Sequence, residues 1–385
     1  MTDMSVSKVS APEERRPKID HNYLPHQFAD PSSILNSIRG VVQRGDFTLG
    51  REVEQFEHEF AQMVGVKHAI GVGNGTDAIF LALKAMGIKK STAEVITTPY
   101  SFYATTASIV NAGARPVFVD VKRDFNIDPR ALEAAITPHT VGIVPVHWAG
   151  RPCNMNAIMG IARTHGLWVV EDCAHAPYST YHERRCGSFG DINTFSLHPL
   201  KNVNVWGDGG VITTNNDDKA IYLRKIRNHG MTDRNTCEFW GYNSRLDTVQ
   251  AVVAREVLSR VEEITKKRRA HAKTLDMMLA DIPEIELPEN APDTEPNYYL
   301  YSFHADKRNA LQKFLVSFGV DAKVHYPTPL HLQPASKSIG VFKRGDFPVA
   351  EWCADSTLSL PVHEFLSESQ MLRMGGLVRQ FYETI

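Results

Sequence analysis

Lys201 stands in the run Asp191-Ile-Asn-Thr-Phe-Ser-Leu-His-Pro-Leu-Lys-Asn-Val-Asn-Val-Trp-Gly-Asp-Gly-Gly, and upstream of it Val169-Val-Glu-Asp-Cys-Ala-His-Ala ends an apolar run on the acid Asp172. A lysine at a strand-to-loop edge, with a carboxylate closing an earlier strand, meets the needs of pyridoxal phosphate chemistry. The lysine can hold an aldehyde as a Schiff base and move protons. The acid can keep a pyridine nitrogen protonated, so that the ring accepts the electrons of a carbanion. Taken singly, Asp172 could cap a turn and Lys201 could sit on the surface, as most lysines do. The neighbours favour the chemical reading: Ser196 and His198 precede the lysine, and Gly207, Gly209 and Gly210 permit a sharp return of the chain.

A second feature is Gly71-Val-Gly-Asn-Gly-Thr-Asp-Ala, between a strand-like run and a helical one. It reads either as a tight turn or as a cradle of backbone N–H groups for phosphate at a helix N-terminus. A dinucleotide fingerprint would need glycine where Thr76 stands, and a phosphate-binding Walker loop would need a lysine.

The elements that must position these residues alternate. Ile34, Leu35, Ile38, Val41 and Val42 follow helical spacing up to Gly45, and Phe56, Phe60 and Met63 mark a second helix. From His68, β-branched runs alternate with helical ones: Ala69–Val72, Glu94–Thr98, Pro116–Asp120, Val141–Val146, Leu167–Asp172, Asn193–Leu197 and Gly210–Thr214. This order predicts an α/β domain around a mainly parallel sheet covered on both faces. One long helical pattern runs from Thr248 to about Ala280, and Ile282–Asn297 reads as a boundary. Beyond it, strands at Tyr298–Phe303 and Ala322–Tyr326 and helices at Lys307–Phe318 and Ser367–Phe381 predict a small α+β domain. The expected division is a mobile segment over 1–22, a large domain over 23–280 and a small one over 281–385.

The composition, with 43% hydrophobic and 22% charged residues and a net charge of −2, gives no general pull towards nucleic acid or anionic lipid. Five cysteines without regular spacing argue against a disulfide framework, and none forms a Cys-x-x-Cys pair. His147, His175, His198, His325 and His331 lack helical metal-ligand spacing, so no metal is expected. No run approaches a membrane span, and the charged stretch Pro12–Asp20 has no apolar signal core; a cytoplasmic protein is expected.

The motifs Gly73-Asn-Gly-Thr-Asp-Ala, Glu171-Asp-Cys-Ala-His-Ala, Gly187-Ser-Phe-Gly-Asp, Ser196-Leu-His-Pro-Leu-Lys-Asn, Gly207-Asp-Gly-Gly, Gly241-Tyr-Asn-Ser-Arg and His325-Tyr-Pro-Thr-Pro-Leu-His follow one another between Phe47 and Leu372. In order and spacing the chain resembles the DegT/StrS-type sugar aminotransferases, a branch of the fold type I, aspartate aminotransferase-like pyridoxal phosphate enzymes.

The resemblance implies that Lys201 carries the cofactor aldehyde, that Asp172 pairs with the pyridine nitrogen, and that Gly75, Thr76 and Ser196 bind phosphate. It implies Phe102 stacked on the ring, and Asn243 reaching the phosphate of a neighbouring subunit, hence a homodimer with shared active sites. The family usually has glutamine where His175 stands, in contact with the ring oxygen, and threonine where Leu200 precedes the lysine. The implied reaction passes an amino group from glutamate or glutamine, through pyridoxamine phosphate, to a keto-sugar such as a nucleotide-linked deoxysugar, with ping-pong kinetics. Such products serve amino-sugar, lipopolysaccharide or antibiotic biosynthesis. Trp148, Tyr178, Tyr181, His325 and the region of Trp240 from a partner are candidates for the sugar pocket. Two rivals are a pyridoxamine-dependent sugar dehydratase, which typically replaces the lysine with histidine, and a non-catalytic binding or regulatory protein on the same fold.

Overall fold

Short β-branched runs closed by glycines and acids build the central layer. The computed structural model describes residues 18–88 and 92–384. In chain order the strands are β1 (His68–Val72), β2 (Glu94–Thr97), β3 (Arg115–Phe118), β4 (Thr140–Ile143), β5 (Trp168–Asp172), the short pair β6 (Thr180–Tyr181) and β7 (Arg184–Arg185), then β8 (Ile192–Ser196) and β9 (Gly210–Thr214). Seven of them form one sheet in the order β1-β9-β8-β5-β4-β2-β3. Only β9 runs against its neighbours, pairing antiparallel with both β1 and β8; the other contacts are parallel. The carboxyl ends of β1, β2, β5 and β8 therefore open on one edge, where ligands of such sheets collect. Both faces are covered. One carries Phe56, Phe60 and Phe195, the other Ile79, Leu83 and Ile212, as buried apolar clusters.

The helices begin and end where the sequence signals them. Ser32–Arg44 stops at Gly45, whose φ of 68° is left-handed, and Asn74 caps Gly75–Ala85 by accepting the Asp77 N–H at 2.8 Å. The pattern expected as one helix from Thr248 to Ala280 is two, Thr248–Leu258 and Val261–Leu279. The cause is tertiary. Ala251 and Ala254 pack with Phe56 and Phe60, whereas Ala272, Leu275 and Leu279 belong to a separate cluster with Tyr301, Phe303 and Leu358. The turn at Ser259 and Arg260 lets one stretch serve both.

That second cluster surrounds a three-stranded antiparallel sheet of Ile285–Glu286, Tyr301–Ala305 and Thr357–Leu360. The strand expected at Ala322–Tyr326 is reduced to a single bridge, Lys323 to Ser359; Pro327 and Pro329, which lack an N–H, follow at once. Most of the segment expected to be mobile, residues 1–17, lies outside the described residues. The rest of it is docked: Ile19 is fully buried and pairs with Val320. No described helix is long and apolar enough to cross a membrane.

Candidate active site

The sheet edge carries a cavity of about 340 Å³, a size usual for small-molecule sites, and Gly75, Thr76, Phe102, Asp172, His175, Ser196 and Lys201 all line it. Residues far apart in sequence meet because each follows the carboxyl end of a strand running the same way. A larger, shallow cleft of about 910 Å³ lies where the helices Ser32–Arg44, Arg51–Val64 and Thr248–Leu258 meet. Two of its three arginines are paired, Arg44 with Glu52 and Arg255 with Glu59, and it holds neither a lysine nor a strand-end acid like those of the sheet-edge site.

Asp172 ends β5 and is almost fully buried. One carboxylate oxygen accepts from the Thr105 hydroxyl at 2.8 Å, the other from the Ala174 N–H at 3.1 Å. Burial pushes its pKa up, while those two donors and the charge of Lys201 pull it down. The site is thus poised to gain from a cation placed against this acid.

Lys201 lies in the loop after β8. The loop is held by bonds from the Lys201 N–H to the His198 carbonyl (2.8 Å) and from the Leu197 N–H to the Gly209 carbonyl (2.8 Å). The Lys201 Nζ lies 4.3 Å from the centroid of the Tyr299 ring. The same ring stacks on His175, with centroids 4.3 Å apart.

His175 is neutral: burial, and then the charges of Lys201 and His325, hold its pKa well below the ordinary value. Its Nδ1 accepts the Ala149 N–H at 3.2 Å, so the proton sits on Nε2. The neutral ring therefore has a single N–H left to donate, on Nε2.

The helix Gly75–Ala85 presents its first turn to the cavity, where the leading N–H groups lack intrahelical acceptors. Gly75 permits the close approach of β8: a Cβ there would lie 2.6 Å from the Ser196 Cβ and 3.0 Å from its Oγ. Gly210 likewise lets β9 abut the Asn74 carbonyl. The result is an anion cradle with a hydroxyl at its rim.

These residues fit pyridoxal phosphate. Lys201 would hold the aldehyde carbon, Asp172 the ring nitrogen, and the Gly75–Thr76 turn with Ser196 the phosphate. Phe102, half exposed and 6.1 Å from Tyr326 between ring centroids, borders the same space.

Not every expected residue is here. Asn243 is exposed, forms a bridge with Asn228 and does not line the cavity of its own chain. Trp148 is fully buried against Tyr100 and Phe125, Tyr181 is in a core cluster, and the Tyr178 ring is covered by Arg185 at 3.5 Å. Of the candidates for the sugar pocket within one chain, only His325 lines it. Thr105, Tyr299 and Tyr326 also line the cavity although nothing in the sequence marks them as site residues: Tyr326 lies in the His325-Tyr-Pro motif, Thr105 in a helical run and Tyr299 in the strand-like run Tyr298–Phe303.

Beneath the site, His147, Glu171 and Cys173 cluster in the core. Glu171 accepts from His147 Nε2 (2.8 Å) and from the N–H groups of Gly187 (3.0 Å), Phe189 (2.7 Å) and Gly190 (2.8 Å). Burial would raise its pKa, but these bonds hold it low. The His147 Nδ1 accepts from the Cys153 N–H at 3.0 Å. With its polar atoms so engaged, the trio anchors the loop after β7 and the end of β5.

Comparison with known proteins bears on the family and the fold. The model of the DegT/DnrJ/EryC1/StrS aminotransferase family matches residues 30–379. The chain is 40% identical over 352 residues to a pleiotropic regulatory protein of Geobacillus stearothermophilus, covering 91% of this chain and 94% of that protein. It is 38% identical over 350 residues to a dTDP-3-amino-3,4,6-trideoxy-alpha-D-glucose transaminase of Streptomyces venezuelae, covering 91% and 92%. Among solved structures, S. venezuelae DesV in complex with a ketimine intermediate superposes with a TM-score of 0.93 at 37% identity, covering 96% of this chain and all of that one.

Proposed function

The chain belongs to the DegT/DnrJ/EryC1/StrS aminotransferase family and is a pyridoxal-phosphate-dependent sugar aminotransferase; from that premise we propose that it moves an amino group from glutamate or glutamine to a nucleotide-linked keto-deoxysugar, in two separate half-reactions. The observation that carries this is the meeting of Lys201, Asp172 and the Gly75–Thr76 turn in one cavity. The nitrogen goes to carbon 3 of the sugar, by analogy with the S. venezuelae transaminase.

When bound, pyridoxal phosphate supplies the electron sink that makes the α-proton of the donor acidic. Asp172 stays ionised against the protonated ring nitrogen, and Thr105 and the Ala174 N–H keep its carboxylate oriented. Released from the aldehyde by the donor's amine, Lys201 Nζ would take the donor's α-proton and return it to the former aldehyde carbon, and would repeat this in reverse for the sugar. The His175 Nε2–H would donate to the ring oxygen, Ser196 and the first-turn N–H groups would hold the phosphate, and Phe102 would cover the ring face.

We also assign the active unit as a homodimer. Asn243, exposed and outside its own cavity, is the residue that reaches the phosphate bound by a partner subunit. The sugar pocket is then completed by the partner beside His325, Tyr326 and Tyr299. The natural role is amino-sugar supply for a surface polysaccharide or a glycosylated product.

The test is a single turnover. Enzyme loaded with cofactor is mixed with glutamate or glutamine and no sugar. One equivalent of keto acid should appear per active site, and keto-sugar added after donor removal should then be aminated. Keto acid that forms only when the sugar is also present would overturn the two-step scheme.

A further inference from the structure

Lys201 is held in place from a part of the chain far from it in sequence. The segment from Ile19 to Phe28 is strapped at one end to the three-stranded sheet, where His21 Nε2 donates to the Ser359 carbonyl at 3.4 Å, and to the loops beside that sheet. The Ile19 N–H donates to the Gly319 carbonyl, and the Ile19 carbonyl accepts the Asp321 N–H, both at 2.9 Å. The His21 N–H donates to the Asp321 carboxylate at 3.1 Å, and His363 Nε2 donates to the Asp20 carbonyl at 3.0 Å. The other end lies on the lysine loop. The Tyr23 hydroxyl donates to the backbone carbonyl of Lys201 itself at 2.9 Å. Asn204, fully buried in that loop, donates to Gln27 Oε1 at 2.9 Å and to the Pro199 carbonyl at 2.7 Å. Phe28 meets Trp206 edge to face, with centroids 5.5 Å apart.

The Tyr23 ring is fixed in turn. The Arg268 guanidinium lies 5.0 Å from its centroid, and Arg268 is paired with Glu364 at 3.0 Å. Arg268 also donates to the Tyr298 carbonyl at 3.4 Å, next to the tyrosine whose ring faces the Lys201 amine. Between strap and site lies a cavity of about 60 Å³ bounded by His21, Tyr23, Leu200, Tyr299 and His325 among others.

We propose that Tyr23 is a positioning residue for Lys201: its hydroxyl fixes the Lys201 peptide, and the strap thereby ties the reactive amine to the three-stranded sheet. The physical reason is the lysine side chain. Its amine ends a four-carbon stem with several rotatable bonds, so its reach is defined only if the backbone at its root is defined. A carbonyl in that loop also needs a partner, and Tyr23 is the one provided. The proposal rests on the reading of Lys201 as the amine that meets the cofactor.

The test replaces Tyr23 by phenylalanine, which keeps the ring and its contact with Arg268 and removes only the hydroxyl. In cofactor-free protein, hydrogen exchange of the peptide spanning 199–206 should quicken about tenfold while that of 248–258 stays as in wild type. In the loaded enzyme, kcat should fall about tenfold with the donor KM unchanged, as for a misplaced catalytic group rather than lost binding. Exchange and kcat both within about twofold of wild type would overturn the proposal, as would faster exchange everywhere. Should Y23F not fold, Gln27→Ala at the half-buried end of the strap must still quicken exchange over 199–206, and no change would be fatal. Because exchange is read without cofactor, it judges the strap by itself; wild-type protein trapped with cofactor on another residue would sink the Lys201 assignment and leave the exchange result standing.

Discussion

The Tyr299 ring touches Lys201 and His175 at once: the lysine Nζ lies 4.3 Å from its centroid, and the imidazole stacks on it at 4.3 Å. One aromatic side chain thus sets the distance between the amine proposed to move protons and the neutral donor proposed for the ring oxygen. Tyr299→Phe should keep most of the activity. Tyr299→Leu should lower kcat about tenfold, since a desolvated cation–π contact contributes up to about 2 kcal/mol. Steady-state kinetics on both variants checks this; equal loss in the two would assign the role to the hydroxyl instead.

Asp172 should matter to chemistry more than to cofactor capture. Asp172→Asn keeps the shape of the acid and removes the charge that holds the ring nitrogen protonated. The expected loss in kcat is about a hundredfold or more, with the cofactor still bound through its phosphate. Absorbance titration with cofactor, next to the rate of the donor half-reaction, separates the two effects.

Gly75 has no room for a side chain. Gly75→Ala would set a methyl 2.6 Å from the Ser196 Cβ, and both atoms belong to packed backbone elements. Displacing the helix start from β8 should cost about 1–3 kcal/mol of stability and weaken cofactor binding at least about tenfold. Thermal unfolding with and without cofactor reads both; an unchanged cofactor Kd would remove the first turn from the phosphate site.

Acid should loosen the three-stranded sheet and the strap. Burial holds His304, His325 and His363 down at about 4 in the folded protein, against 6.5 for a free ring. Each ring is neutral when folded and takes up a proton on unfolding below 6.5. Their contribution is complete above pH 6.5, falls as pH drops from there to 4, and reaches a loss of roughly 3 kcal/mol per ring at the acid limit. Denaturant unfolding at pH 7.5, 5.5 and 4.5 should show stability falling through this window. A flat profile to pH 4.5 would contradict it.

The sequence carried the sheet well because each strand is a β-branched run, and helix boundaries such as the stop at Gly45 and the capped start at Ser367 have their own local chemistry. Lys201, Asp172, Gly75 and Ser196 stood out as candidates through the motifs around them, Ser196 to Asn202, Glu171 to Ala176 and Gly73 to Ala78, since each residue type taken singly is ordinary. The break at Ser259 and Arg260 carries no glycine or proline, and is imposed by two separate cores. Thr105 and Tyr299 are common types in ordinary runs, and only the folded sheet edge brings them to the acid and the amine. The strap was hidden for a similar reason: residues 18–22 are polar apart from Ile19, and their order comes from Gly319, Asp321 and His363, distant in sequence.

The amine that takes the cofactor decides the chemistry of this site. Wild-type enzyme loaded with pyridoxal phosphate, reduced with borohydride, digested and analysed by mass spectrometry should carry the pyridoxyl mass on Lys201, and Lys201→Ala should carry none. The label on another lysine, or a Lys201→Ala enzyme that still transaminates, would contradict it.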